Sequence, residues 1–362
     1  MIPINTIRDH AYKIGCGRLL FSHGALKHLS AEVATLGQHP LVLCGEHAFQ
    51  VVGGVIQKQL LQNNLAFQIE RYRDACSEES AQHFAHMIAE NRFDLIIGAG
   101  GGRILDLAKI IADLADIPVV TIPTISATCA AYTPLSVVYT PDGRCKGTWY
   151  FKREVSLVVC DLDILCSQPP RYLAAGMVDA IAKHVEIKHH LHALPPDAQD
   201  VFLAQQLAQT ICQDLFSFGE AAMNDLHSDK AIRCIFHSII TTGMVSGIAR
   251  GMYQAAMAHA FYEVIRTLFP HDSKPWLHGE IVGVGLRLQE LYAGKLSEAS
   301  QLTDFMRNLN MPLGLADLSI PVTEDIPHMI ARTSPLPDFY LHPQTDHAKV
   351  SNIIQNLYER SL

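Results

Sequence analysis

The stretch "DLIIGAGGGRILDLAK", residues 94–109, narrows the possible folds more than any other part of the chain. Its apolar run has the length of a buried strand and leads straight into glycines. Ile104, Leu107, Ala108 and Ile111 then return at helical spacing. A strand that ends in glycines and opens a helix turns backbone N–H groups and a helix N-terminus towards an anion. Glycines at 100, 101 and 102 let the main chain approach that anion with no Cβ in the way. Arg103 and Ile104 follow the run, so it is not the G-x-G-x-x-G fingerprint, and a tight strand–helix turn would explain the glycines alone. Asp106 and Lys109, three residues apart, also read as a surface ion pair.

The flanking sequence repeats the same alternation. "PLVLC" (40–44) precedes a helical pattern carrying Phe49, Val52, Ile56 and Leu60 on one face. "LAFQIERY" (65–72) alternates like a strand, and Ser77 with Glu78 and Glu79 opens a helix. "PVVTIP" (118–123) is a further strand. "PDG" (141–143) marks a turn inside a hairpin from "LSVVYT" to "KGTWYF", and "SLVVCD" (156–161) is the last strand. Beyond residue 165 the pattern becomes helical. "QPPRYLAAGMVDAIAKHVEIKHH" (168–190) starts at prolines suited to a first turn, and "LPPDAQD" (194–200) makes a break and a cap. The predicted organisation is an α/β domain over 1–162 and an all-α domain over 163–362, with a ligand in the cleft between them.

Composition removes several classes of function. The net charge is −8 with no long basic block, which argues against nucleic acid and anionic membrane as main partners. Nine scattered cysteines, an odd number with no C-x-x-C, read as reduced thiols of a cytoplasmic protein. The N-terminus "MIPINTIRDHAYKIGCG" has no h-region, and no apolar run is expected to reach the length of a membrane span. A charged fraction of only 18% favours a buried interface between copies of the chain, hence a homo-oligomer.

Three dispersed residues suggest metal chemistry. Asp179 lies in the apolar helical stretch "AAGMVDAIA", His259 in "AAMAHAFY" and His278 in "WLHGEIVGVG". One carboxylate and two imidazoles leave a divalent ion an open position, the usual plan of a catalytic zinc site. Taken singly, each reads more simply as a hydrogen-bonded interior group.

"GGGRILDLAK", "IPTISAT", "PLSVVYTPDG", "AAGMVDAIAK", "AAMAHA" and "HGE" follow one another as in the glycerol dehydrogenase branch of the iron-containing alcohol dehydrogenase superfamily. The resemblance covers roughly residues 10–350. Within that branch, "TCAAYTPLSVVYT" is most similar to the hydroxycarboxylate dehydrogenases, which reduce 2-oxo acids. The resemblance implies Asp179, His259 and His278 as metal ligands, and a cofactor pyrophosphate over Gly101, Gly102 and Arg103. It implies that Thr124, Ala127, Thr133, Leu135 and Tyr139 contact the cofactor. Iron-type members carry a further His four residues after the Asp, where this chain has Lys183; His184 is one step off and faces elsewhere. Three ligands then favour zinc over iron.

Two departures bear on substrate and cofactor. Glycerol dehydrogenases have an Asp where this chain has Cys129, so a carboxylate that would repel an acidic substrate is missing from the expected substrate pocket. NAD-preferring relatives have an Asp at the position of Gly45, so NADP is favoured over NAD, although Glu46 could still reach the ribose. The implied activity is reversible hydride transfer between a nicotinamide and a small ketone or aldehyde, above all a 2-oxo acid. His184 and a metal-linked water are candidate proton donors, and Lys183 is a candidate partner for a substrate carboxylate. The alternatives are a glycerol dehydrogenase, a dehydroquinate synthase-like lyase, and a non-catalytic nucleotide-binding protein. The lyase would need a basic cluster that is not seen near the metal motifs.

Overall fold

A computed structural model describes residues 14–251, 253–321, 323–339 and 343–359. Residues 1–13, which hold most of the N-terminal segment read above, lie outside it. Eight strands are present among the described residues: β1 (Arg18–Ser22), β2 (Pro40–Gly45), β3 (Gln68–Tyr72), β4 (Leu95–Gly100), β5 (Val119–Pro123), β6 (Leu135–Tyr139), β7 (Cys145–Tyr150) and β8 (Leu157–Asp161). Six form one parallel sheet in the order β1-β8-β5-β4-β2-β3. β1 has no counterpart in the sequence reading. "RLLFS" is short and half exposed, and it becomes a strand by pairing with β8 along its length.

The strand order places the ligand crevice. From β2 the chain runs outward to β3 at the sheet edge, whereas from β4 it turns the other way to β5. The helices after β2 and β4 therefore cover opposite faces. Val52, Ile56 and Leu60 bury one face together with Leu29 and Val33, while Ile104, Leu107 and Ile111 bury the other with Phe84 and Ile88. In open α/β sheets the crevice opens at the carboxyl ends of the strands where the order reverses. Here that point is the pair β2 and β4, ending at Gly45 and at the glycine run.

The antiparallel β6–β7 hairpin lies against the Gly102–Ala115 helix. Lys109 and Asp106 hold it there, and this corrects the expectation of a surface pair. Lys109 is 1% exposed, and its Nζ donates to the carbonyls of Thr133 (3.0 Å) and Leu135 (2.7 Å) while pairing with Asp106 at 3.1 Å. Asp106 in turn accepts from the Ser136 hydroxyl at 2.9 Å.

From Leu162 onward every described element is helical. The Pro170–His190 helix forms the centre, packed by Gln199–Asn224 on one side and by His278–Tyr292 on another. Its prolines sit at the first turn as expected. The break at 194–200 is also present, but the cap is Ala198 without a side-chain bond, and Asp200 instead binds Arg250 at 2.7 Å. Asp229–Ile248 does reach the length and hydropathy of a membrane span, contrary to expectation. With 72% of its apolar window buried inside the protein, it reads as a core helix. Two glycines set how closely elements approach. A Cβ at Gly279 would run into the carbonyl of Ala175, and one at Gly176 into that of Ser126. His278 and the 124–128 segment are thereby both drawn onto the helix that carries Asp179. One continuous apolar cluster joins the Gly102–Ala115 side of the sheet to the helical region, from Leu41 to Leu357.

Candidate active site

Asp179, His259 and His278 come together from three helices, Pro170–His190, Met257–Leu268 and His278–Tyr292. Asp179 Oδ1 lies 3.4 Å from Nε2 of each histidine, and the three ligand atoms fall within 4.8 Å of one another. Asp179 is 3% exposed, and this Oδ1 has no hydrogen-bond partner. An unsatisfied buried carboxylate oxygen facing two imidazole nitrogens is costly alone and well suited to a divalent cation. The donor set therefore fits a metal ion.

For Asp179 and His278 the electrostatics agree, whereas at His259 burial is outweighed by Glu186 and the pKa rises, so a bound cation would have to displace a proton there. Burial works against the Asp179 charge, yet Lys183, His278 and His259 outweigh it and hold the carboxyl well below its usual range. Burial pushes the His278 pKa down despite Asp179, so its imidazole stays neutral, the form that ligates.

Supporting contacts fix each ligand. Glu186, fully buried, accepts the backbone N–H groups of Ala256 (2.7 Å) and His259 (2.9 Å) and bonds His259 Nδ1. That bond places the proton on Nδ1 and leaves Nε2 for the cluster. His278 opens its helix, where Glu280 receives the backbone N–H of Leu277 at 2.7 Å and a two-pronged bond from Arg171. The Arg171 guanidinium also lies over Trp276, and the Tyr262 ring sits 4.2 Å from that of His278. Sequence reading missed Glu186 and Arg171. Glu186 follows Asp179 and Lys183 at helical spacing, a signal that was available; its target lies 73 residues away and gave none.

Lys183 reaches the same place, with Nζ 3.4 Å from His259 Nε2. His184 does not. It lines a separate cavity of about 360 Å³ with Cys212, Phe216 and Glu290, and receives a bond from Gln205 at 2.9 Å. Burial brings its pKa down to about 4. His184 is thus removed as a proton donor to the cluster. Cys129 is buried, accepts a bond from the Thr133 hydroxyl (2.9 Å) and lies within electrostatic reach of Lys183 and Asp179. Burial raises its thiol pKa, chiefly offset by Lys183, so the group is neutral.

The other predicted residues lie at the glycine run, in the segment that follows β5 and in the β6–β7 hairpin. Gly101 caps the Gly102–Ala115 helix in extended conformation; its missing Cβ would face Ile125, and that of Gly102 would face Thr128. The Thr124 N–H donates to the Gly100 carbonyl at 3.1 Å, which seats the 124–128 segment, with Ala127, beside the glycine run and exposed Arg103. Thr133 and Leu135 are buried at the hairpin entry, and Leu135 packs towards Gly251. The Tyr139 hydroxyl is engaged by that of Tyr262 at 2.7 Å, tying the hairpin to the helical region. Gly45 lies apart from the cluster, at the end of β2.

A family model for iron-containing alcohol dehydrogenases matches residues 16–162. Hydroxycarboxylate dehydrogenase A of Escherichia coli (strain K12) is 32% identical over 272 residues, covering 72% of this chain and 73% of that protein. The chain belongs to the iron-containing alcohol dehydrogenase family. A glycerol dehydrogenase of Thermotoga maritima is 27% identical, with 85% of both chains covered. The fold of a probable glycerol dehydrogenase from Sinorhizobium meliloti superposes with a TM-score of 0.82 at 21% identity, over 97% of this chain and 99% of the other. Like other iron-containing alcohol dehydrogenases, the protein is an oxidoreductase with a parallel α/β N-terminal region and a helical C-terminal region.

Proposed function

We propose that the protein is a metal-dependent, NADP- or NAD-linked dehydrogenase that interconverts a 2-oxo acid and its hydroxy acid, with NADP preferred. The observation that carries this reading is the buried Lys183 ammonium beside Asp179, His259 and His278, together with a neutral Cys129 thiol. A carboxylate-bearing substrate would find one positive partner and no repelling carboxylate at position 129.

Asp179, His259 and His278 would hold one divalent ion, zinc in preference to iron; when bound it supplies Lewis-acid polarisation of a carbonyl oxygen. Glu186 fixes the tautomer of His259, and Arg171 with Glu280 fixes the helix start at His278. Gly101, Gly102 and Arg103 would receive the pyrophosphate at the helix N-terminus. Thr124, Ala127, Thr133, Leu135 and Tyr139 would line the nicotinamide end and orient its face for hydride transfer to the carbonyl carbon. Lys183 would pair with the substrate carboxylate. Residues 1–162 and 163–362 act as cofactor and metal-binding units in this reading. The likeness to E. coli hydroxycarboxylate dehydrogenase A supports the substrate class, and the glycerol dehydrogenase relatives keep glycerol as the second reading.

The test is a matrix of NADH and NADPH against 2-oxo acids, aldehydes and dihydroxyacetone, with bound metal measured on the same protein. Highest kcat/KM on a 2-oxo acid is expected. Preference for dihydroxyacetone or glycerol would overturn the substrate assignment, and full activity without metal would overturn the metal role.

A further inference from the structure

The outer side of the cofactor crevice carries two arginines, Arg71 and Arg73, that have no part in the chemistry above. Gly45 ends β2 level with Tyr72 on β3, and Glu46 follows it at the start of a helix. Arg71 and Arg73 flank Tyr72. Arg71 Nη1 lies 3.0 Å from Glu46 Oε1, and Arg73 Nη2 lies 4.0 Å from Glu46 Oε2. The Arg71 guanidinium also rests on the Phe49 ring, 5.3 Å from its centroid, which restricts its orientation. Arg103 from the glycine loop and Asp74 both act electrostatically on Tyr72 between the two arginines. Two guanidinium groups against the one carboxylate of Glu46 leave this corner with a surplus positive charge within a protein of net charge −8.

Its position gives the charge a purpose. β2 and β4 are neighbours, with Cys44 level with Ala99, so Gly45 lies beside the glycine run and the arginines lie one strand further out. A dinucleotide whose pyrophosphate rests on the glycine run extends its adenosine ribose towards the end of β2. A carboxylate directly on β2 would meet the ribose hydroxyls, but here that position is glycine. A Cβ there would also press on Ile104 at 3.3 Å. Glu46, the next candidate, is already held by Arg71, which uses only one of five guanidinium N–H donors for it.

We propose that Arg71 and Arg73 form the subsite for the 2′-phosphate of NADP, with Glu46 presetting Arg71 before the cofactor arrives. A phosphate dianion accepts charge-assisted bonds from several guanidinium donors at once, which a ribose hydroxyl does not. The proposal rests on the nicotinamide-dinucleotide reading above and names the residues that choose between its two cofactors.

The test reads binding by fluorescence titration of full-length protein with NADPH and with NADH, independently of turnover. The Arg71→Ala/Arg73→Ala variant should weaken NADPH roughly tenfold to a hundredfold and change NADH by less than about twofold. Adenosine 2′,5′-bisphosphate should displace NADPH from the wild type far better than adenosine 5′-monophosphate, and the variant should lose this difference. Arg71→Lys should keep part of the NADPH preference. Equal weakening of both cofactors, or no change in either, overturns the subsite. Wild-type protein that binds NADH but not NADPH overturns it too, and leaves the dehydrogenase reading standing. Failure to bind either cofactor overturns that reading as well.

Discussion

Glu186 shows how a residue outside the ligand set controls it. Glu186→Gln keeps the shape but removes the charge that holds the His259 proton on Nδ1; metal affinity should fall roughly 10- to 100-fold, measured by metal titration of the apo protein. Unchanged affinity would remove Glu186 from the metal site. Lys183→Met should raise KM for 2-oxo acids at least about tenfold while leaving neutral aldehydes within about twofold; equal effects on both would show that Lys183 merely packs. Cys129→Asp places a carboxylate near Lys183, and preference should move towards diols; an unchanged substrate profile would take Cys129 out of the pocket. Asp179 was legible in the sequence as a carboxylate inside an apolar helical run, whereas Lys183 and Cys129 stood out only against the pattern of the family the chain resembles. The burial of Lys109 was not legible. An acid and a base three apart look the same whether water or a hairpin covers them.

At the scale of elements, the glycines are packing devices as much as turn formers. Gly279→Ala sets a Cβ against the Ala175 carbonyl, so the helix starting at His278 must move off the helix of Asp179. A stability loss of roughly 1–3 kcal/mol by urea unfolding is expected, together with weaker metal binding. Wild-type stability would show that the two helices have slack. Lys109→Met should cost more, roughly 3–5 kcal/mol, because Asp106 would be left buried without its cation. The strand–helix alternation, the β6–β7 hairpin and the Ser77 cap (its hydroxyl accepts from the Ser80 N–H at 3.2 Å) follow from local pattern alone. β1 does not, since its pairing partner lies about 140 residues away in sequence. The glycine contacts were also hidden, because which carbonyl a glycine faces depends on how helices cross.

Over the whole molecule, one apolar cluster passes from beneath the sheet into the helical region, so the two halves are expected to unfold together. Thermal unfolding should follow a single transition, and a chelator should lower the whole of it when metal is bound. Two separated transitions would show that the halves are energetically independent. The sequence announced two units by a change of texture near residue 165, but texture records periodicity and says nothing of whether cores are shared. Two bodies joined through packed side chains make a poor hinge. Cofactor entry and exit then fall to short surface segments and side-chain rotations rather than to a wide swing of one half. The radius of gyration in solution scattering should therefore stay essentially constant between the free and cofactor-saturated protein.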